Sequence, residues 1–221
     1  HKVIDVYEVV DGDTIVDSTI DFGDSEKYLF ENAKLKNGTV KMESGGIDED
    51  TVLMLEFDNN LTDKSLSPKT ISVVTSSISY NATDKKIGTH SAYFNKNVYL
   101  QTPSLADFEL KNGDSNIDSW AKFDNNSEDS TIISSSNYTW GNNVGFLLNR
   151  LNSNSIALSM GKQWNITSPA NTVLKNIWYF IKIIRRGSNC KICINGEIVV
   201  EKNDFIPYGG TTNRLYIGHT T

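Results

Sequence analysis

The segment Asn176–Val200 constrains the fold of this chain most strongly, because it predicts three adjacent antiparallel strands. Its first strand is close to continuously apolar over Trp178–Ile184, which is typical of a strand inside a sheet covered by a second layer. The turn that follows contains Gly187, which readily adopts a positive φ. Asn195-Gly196 then gives the strongest two-residue hairpin signal and leads into the third strand. The segment therefore predicts a β-meander in a two-layered domain.

The rest of the chain from Thr51 onward repeats this pattern of short apolar stretches separated by polar turns. No amphipathic run of helical period reaches the usual helix length, so the pattern predicts an all-β sandwich or jelly roll. The first stretch, Val52–Asp58, is predicted to be a buried strand. The other predicted strands are Ile71–Val74, His90–Phe94, Val98–Leu100, Ile117–Phe123, Thr131–Ser134, Val144–Asn149 and Ser155–Met160.

Residues 1–46 form a separate β-rich lead-in or connector in this interpretation. Val3–Val10 and Thr14–Val16 flank a turn and predict one hairpin. Ala33–Met42 contains Asn37-Gly38 between alternating residues and predicts a second hairpin. A glycine-rich and acidic linker follows, so residues 51–221 are expected to form the main domain.

Composition excludes some partners and leaves the two cysteines unpaired. The formal net charge of −6 and the lack of a basic patch argue against nucleic acid and membrane surfaces as partners. No apolar run approaches the roughly 20 residues of a membrane helix.

Cys190 and Cys193 form a CxxC, which could be half of a zinc site or a redox pair. On a strand, however, residues three apart point to opposite faces, so two free thiols are expected.

Several segments, in this order, carry a family resemblance: LMLEFDNNLTDKS at Leu53–Ser65, KKIGTHSAYFNKNVYLQTP at Lys85–Pro103, DFELKNGDSNIDSWAKF at Asp107–Phe123, GFLL at Gly145–Leu148, the meander Asn176–Val199, and LYIGH at Leu215–His219. These segments span about three quarters of the chain, and this part resembles the laminin-G-like, concanavalin A-like jelly-roll modules of phage and bacterial surface proteins. The resemblance implies an all-β fold, a two-sheet antiparallel jelly-roll sandwich, preceded here by the small β-rich lead-in.

The same resemblance implies a closing strand after LYIG, which would pair beside Val52–Phe57. The sequence ends four residues after Ile217, so we expect the domain to lack its own closing strand. Either the natural protein continues, or Val3–Val10 or a strand of another subunit fills the gap by strand addition.

Catalysis by this module is not expected. Enzymes of the resembled fold use paired carboxylates that project from one strand into a cleft. The only candidates are Glu56 with Asp58, where no third acid follows, and Asp48 with Asp50, which lie in the linker.

A calcium ion is a second implication of the resemblance, near the loop after the first strand. Asp58, Asn60 and Asp63 offer hard oxygen ligands there and are the predicted Ca²⁺ ligands. The alternative is a solvated turn rich in Asp and Asn.

Ligand recognition in such modules is expected from loops at the rim of the sandwich. The loops Ser134–Asn143 and Gly161–Ser168 combine aromatic and small polar residues, which suits sugar stacking with hydrogen bonds to hydroxyls. Alternatively, these aromatics plug the ends of the sandwich. Trp120 and Trp178 lie within strand patterns and are expected to point into the core. The predicted ligand-binding residues are Tyr138, Trp140, Asn142, Asn143 and Trp164.

The sequence thus predicts a non-catalytic structural or binding module of a phage virion (tail or capsid decoration) or of a bacterial surface protein. Its expected partners are host glycan or cell-surface polysaccharide and other virion or surface-protein subunits. Its expected location is the virion, the cell surface or the extracellular space. The alternative is an ancillary carbohydrate-binding domain of a secreted glycoside hydrolase or adhesin.

Overall fold

The computed structural model describes residues 50–95, 97–105, 108, 114–124, 128–135, 145–160, 164–205 and 214–218, together with four short strands before residue 50. The chain divides into two compact units, His1–Thr51 and Val52–Thr221. No helix of the described residues is long and apolar enough to cross a membrane.

The described residues of the first unit form two short hairpins at places where the sequence predicts hairpins, although Val3–Glu8 and Ile15–Val16 of the first prediction lie outside the described residues. Strands β1 (Val9–Val10) and β2 (Asp13–Thr14) pair antiparallel. Strands β3 (Ala33–Lys36) and β4 (Thr39–Met42) pair with Lys36 opposite Thr39, which leaves Asn37-Gly38 as the connection.

The second unit is an all-β antiparallel sandwich, as predicted. Its described strands are β5 (Ser72–Val74), β6 (Ser79–Asn81), β7 (Ser91–Tyr93), β8 (Tyr99–Gln101), β9 (Ser115–Lys122), β10 (Ser130–Ser135), β11 (Phe146–Arg150), β12 (Ile156–Met160), β13 (Trp164–Thr167), β14 (Trp178–Arg186), β15 (Asn189–Ile194), β16 (Glu197–Lys202) and β17 (Leu215–Ile217). A seven-stranded sheet has the order β13-β12-β11-β10-β17-β8-β5, a four-stranded sheet has the order β16-β15-β14-β9, and β6 pairs with β7 in a separate hairpin.

The β14–β15–β16 meander has the predicted turns and the predicted central strand. Gly187 has φ 56° in the first turn. Asn195 (φ 52°) and Gly196 (φ 87°) both occupy the left-handed region, as a type I′ hairpin requires. Strand β14 lies between β15 and β9, so its backbone is paired on both sides.

The core lies between the two sheets. Alternate residues of β14 and β15 pack against the inward residues of β11 and β12, and burial of each such side chain stabilises the fold by about 1.5–3 kcal/mol. These buried residues include Ile181, Ile183, Cys190, Ile192, Ile194, Phe146, Leu148, Ile156, Leu158 and Met160.

Both cysteines are buried thiols and form no disulfide, as expected from their spacing. Cys190 belongs to the core, whereas the paired position of Cys193, opposite Lys182, places it on the other face of the sheet. Burial raises the pKa of the Cys190 thiol to about 11. This thiol is therefore protonated and a poor nucleophile at neutral pH.

Val52–Asp58 is not a strand, so that prediction is wrong. The segment contributes only one isolated bridge, between Leu55 and Asp63. Phe57 (φ 60°) and Asn59 (φ 57°) turn the backbone into the left-handed region, which is incompatible with an extended strand. Val52 and Leu53 nevertheless pack against the core. The expected closing strand beside this segment stays a prediction.

Candidate functional site

Trp178 and Phe180 lie on the outer face of the four-stranded sheet. They alternate with core residues of β14 such as Ile181, and side chains alternate between the two faces of a strand. Trp120 of β9 is directly opposite Phe180 in the antiparallel register, so it shares that outer face. The expectation that Trp120 and Trp178 point into the core is therefore wrong.

The cause of this error can be read from β9. Trp120 has the same parity along the strand as Asp118 and Lys122, whereas the inward parity is held by Ile117 and Ala121, which pack against the core. Strand β14 carries apolar residues on both faces, so that strand alone does not reveal which face is inward. The polar alternation of its neighbour was the signal that could have identified the outer aromatic residues.

The three outer aromatic side chains lie on one face of the sheet, which we call the aromatic face (Trp120, Trp178 and Phe180). The ring centroids of Trp120 and Phe180 are 5.3 Å apart and the rings are tilted by 42°. All three residues are half-buried. Such amphipathic or apolar rings outside the core are typical of binding surfaces.

Residues 82–90, between β6 and β7, form a strap beside the aromatic face. Asp84 Oδ1 accepts a hydrogen bond from Trp178 Nε1 at 3.0 Å. The other Asp84 oxygen forms an ion pair with Lys122, and that interaction is the main cause that lowers the pKa of Asp84. The ammonium of Lys86 lies 4.9 Å from the ring centroid of Trp120, a cation–π distance.

Asp58 holds the other end of the strap. Its Oδ1 accepts hydrogen bonds from the backbone N–H of Thr89 at 2.6 Å and of His90 at 3.1 Å. These two bonds, that from His90 first, lower the pKa of Asp58. Gly88 has φ 66°, and a Cβ there would lie 2.4 Å from Asp58 Oδ1, so the close approach requires glycine.

Asp63 organises the turn in which the calcium ion was predicted. It is 3 % exposed, and its carboxylate accepts hydrogen bonds from Met54 N, Ser65 N, Ser65 Oγ and Lys69 N at 2.7–3.0 Å. Burial acts to raise the pKa of Asp63, but these hydrogen bonds together lower it. Four bonds use the acceptor positions of a carboxylate, so an ion at Asp63 would have to compete with them.

The other two predicted calcium ligands also have protein partners. Asn60 Nδ2 donates to the Asp58 carbonyl at 2.8 Å, and Asn60 Oδ1 accepts from Thr62 N at 2.9 Å. In the described part of the chain, no three His, Cys, Asp or Glu side chains form a group that could hold a metal ion. Calcium binding by Asp58, Asn60 and Asp63 stays a prediction.

The polar flank of the aromatic face continues along β9 and β14. Lys182 pairs with Asp118 across the two strands at 3.2 Å. Further along the same face, beyond the buried Ile184, Arg186 at the end of β14 donates a hydrogen bond of 3.0 Å to Asn116 Oδ1 of β9. Hydrogen-bonding groups therefore border the aromatic rings on the same surface.

The predicted rim site is only partly covered by the structure. Tyr138, Trp140, Asn142 and Asn143 lie outside the described residues. Trp164 was predicted to lie in a loop, but it begins strand β13, at the edge of the seven-stranded sheet and opposite Ser159. Sequence reasoning missed this strand because WNIT is short and follows a turn-like segment. The ligand-binding role of all five residues stays a prediction.

The sequence of the main domain matches a known family. Residues 94–221, more than half of the chain, match the family model of the concanavalin A-like lectin/glucanases superfamily. The chain belongs to this superfamily. The resemblance inferred from the sequence is therefore confirmed. In this chain, the aromatic face lies on the four-stranded sheet of the superfamily fold.

Solved structures show the same superfamily fold at low sequence identity. Domain 4 of AbnA, a GH43 extracellular arabinanase from Geobacillus stearothermophilus solved with arabinotriose, is 18% identical with a TM-score of 0.56, covering 73% of this chain and 79% of that one. The receptor-binding domain of botulinum neurotoxin C/D mosaic serotype is 17% identical with a TM-score of 0.56, covering 72% of this chain and 40% of that one.

A third structure concerns botulinum neurotoxin type C, whose cell entry depends on interaction with two ganglioside molecules. It is 14% identical with a TM-score of 0.50, covering 75% of this chain and 42% of that one. The chain thus spans about two fifths of the length of the neurotoxin structures that it matches. No curated protein matches the chain in sequence.

Proposed function

We propose that this chain is a non-catalytic module that binds a glycan on its aromatic face. The observation that carries the proposal is the outward position of Trp120, Trp178 and Phe180, which are half-buried and lie beside polar side chains. Large aromatic side chains outside the core are otherwise a cost in solubility, and they suit the apolar C–H face of a sugar ring.

The aromatic face provides both ring surface for stacking and hydrogen-bonding groups for sugar hydroxyls. Stacking of one pyranose on an aromatic ring contributes about 1 kcal/mol, by analogy with other aromatic contacts. Asp118, Lys182 and Asn116 border the rings and can exchange hydrogen bonds with hydroxyl groups. Two adjacent rings, those of Trp120 and Phe180 at 5.3 Å, can hold neighbouring sugar units of one chain.

The strap makes this surface rigid before a ligand arrives. Asp84 fixes the Trp178 indole and the Lys122 ammonium, and Asp58 fixes the strap backbone at Thr89 and His90. A surface ordered in advance loses less conformational entropy on binding.

Similarity to glycan-associated domains supports the proposal. The arabinanase domain was solved with arabinotriose, and the neurotoxin of type C interacts with gangliosides. These are properties of those proteins, and the shared fold alone does not transfer them.

A non-catalytic role is supported by the positions of Glu56 and Asp58, the pair of acids that most resembles the paired carboxylates of enzymes with this fold. Asp58 directs its carboxylate to the backbone N–H groups of the strap, and Glu56 is exposed on a segment without strand structure. The pair therefore lacks the strand that would direct two carboxylates at one glycosidic bond.

We place the module in a phage virion, as a tail or capsid decoration, or in a bacterial surface protein, where it would contact other subunits. The alternative is an ancillary domain of a secreted glycoside hydrolase or adhesin, which the arabinanase domain supports. A hydrolase domain encoded in the same gene would favour the ancillary domain. Neighbouring structural genes of a phage would favour the virion module.

The binding site is tested with glycan arrays and three variants. Trp120→Ala should weaken binding of the glycan that the wild-type chain selects by about fivefold, the equivalent of about 1 kcal/mol of stacking, whereas Trp140→Ala and Tyr138→Ala in the predicted rim loop should leave it unchanged. The opposite result would move the site to the rim. Binding to no glycan by the folded wild-type chain would contradict the proposed function.

A further inference from the structure

Lys86 is the cation that contacts the rings of the aromatic face. Lys122 is paired with Asp84, and Lys182 is paired with Asp118. Lys85, also on the strap, donates to the backbone carbonyl of Thr89. Within the described part of the chain, Lys86 has no carboxylate partner, and its contact is the ring of Trp120 at 4.9 Å. Its ammonium therefore places a positive charge beside Trp120, although the whole chain has a net charge of −6.

Lys86 stands where it can reach a ligand on the rings. It is exposed on the strap, and its ammonium lies above Trp120 while Phe180 lies 5.3 Å further along the same face. A sugar stacked on Phe180 lies one strand spacing from Trp120, the ring that the ammonium contacts, so a charged substituent directed toward Trp120 would approach the ammonium. The net negative charge of the chain acts over longer distances and is screened beyond about 8 Å at physiological salt.

The position of Lys86 also favours an anionic ligand over a neutral one. A neutral sugar on Trp120 would displace the ammonium and lose the cation–π contact. An anionic group can instead pair with the ammonium while the ammonium stays near the ring.

We propose that the aromatic face selects acidic glycans, whose carboxylate or sulfate group pairs with the Lys86 ammonium. This inference rests on the proposed glycan binding and names the ligand class of the same site. Asp84 is the positioning residue, because it holds the strap that presents Lys86.

The test uses matched pairs of glycans that differ only in charge. The probes are sialylated glycans with their desialylated forms, oligogalacturonides with their carboxyl-reduced forms, and sulfated oligosaccharides with their desulfated forms. Affinities are measured by calorimetry at low and at physiological salt. For at least one pair, the acidic member should bind about fivefold more tightly, the effect of one partly exposed ion pair, and the preference should shrink as salt rises.

Variants of Lys86 identify the cation responsible. Lys86→Gln should remove the preference for the acidic member, and Lys86→Arg should keep it because the charge and the cation–π contact are retained. Lys202→Gln is the control, because Lys202 lies on β16 at the opposite edge of the same sheet and faces Asp204 at 3.9 Å.

The possible failures are distinguishable. Equal binding of both members of every pair, with loss in Trp120→Ala, would overturn the acidic preference and keep the glycan site. A preference that survives Lys86→Gln would also overturn the inference. Binding of no glycan by the folded wild-type chain would overturn the proposed function itself.

Discussion

Asp84 Oδ1 and Trp178 Nε1 are joined by a hydrogen bond of 3.0 Å, although the two residues are 94 positions apart in the sequence. This bond connects the strap to the central strand of the four-stranded sheet. Together with the ion pair to Lys122, it fixes one edge of the aromatic face. The orientation of a ligand-facing tryptophan thus depends on a carboxylate from a distant loop.

Replacing Asp84 with Asn should weaken the strap at neutral pH. The amide can still accept from Trp178, but the attraction to Lys122 is lost, and a partly exposed pair contributes about 0.2–1 kcal/mol. The pKa of Asp84 is lowered in the folded chain, so its contribution is present above the unfolded value of 3.8 and is lost as the pH falls through the lower folded value. Urea denaturation of both chains at pH 7 and at pH 2.5 measures this. An equal stability difference at both pH values would contradict the assignment.

Asp63→Ala should lower the free energy of unfolding far more than the neighbouring substitution Thr62→Ala. It removes four hydrogen bonds to a charged acceptor and leaves backbone donors of the turn without a partner. The expected loss is about 2–4 kcal/mol in the free energy of unfolding. Thr62→Ala is the control, since only its backbone N–H is used in the turn. A similar stability of the two variants would refute the role given to Asp63.

Gly88→Ala should destabilise the strap more than Gly187→Ala destabilises its hairpin. Both glycines have positive φ, at 66° and 56°, so the backbone penalty of roughly 1–2 kcal/mol is common to both. Only at Gly88 does the added Cβ meet a group, the carboxylate of Asp58, whereas nothing lies within 4 Å at Gly187. The measurement is the difference between the two melting temperatures. Equal shifts would mean that Asp58 moves aside without cost.

Calcium should raise the melting temperature if Asp58 and Asn60 bind it, because a ligand of the folded state alone stabilises that state. The shift should disappear on addition of a chelator and in the variant Asp58→Asn. Thermal unfolding with and without calcium measures this. Identical melting curves under all conditions would exclude the predicted site.

The sequence predicted the sandwich well because local signals and hydrophobic alternation agree there. Asn195-Gly196 and Gly187 determine their turns through backbone conformation, which few other residues can adopt. The segment Val52–Asp58 was predicted wrongly because its apolar run resembles a strand, while the positive φ of Phe57 and Asn59 depends on tertiary contacts such as those of Asp58 and Asp63.

The aromatic face was predicted wrongly for a different reason. Whether Trp120 and Trp178 face the core depends on which parity of β14 packs inward, and β14 alone is apolar on both faces. Contacts between distant segments, such as Asp84 with Trp178, carry no local sequence signal. The strap therefore becomes visible only in the folded chain.

The central claim is that the aromatic face, and not the rim, receives the glycan. The chain has four tryptophans, so a sample labelled with nitrogen-15 gives four indole N–H signals that single Trp→Phe variants assign. Titration with the glycan selected on the array should shift the indole signals of Trp120 and Trp178 and leave those of Trp140 and Trp164 in place. Shifts confined to Trp140 and Trp164 would contradict the account.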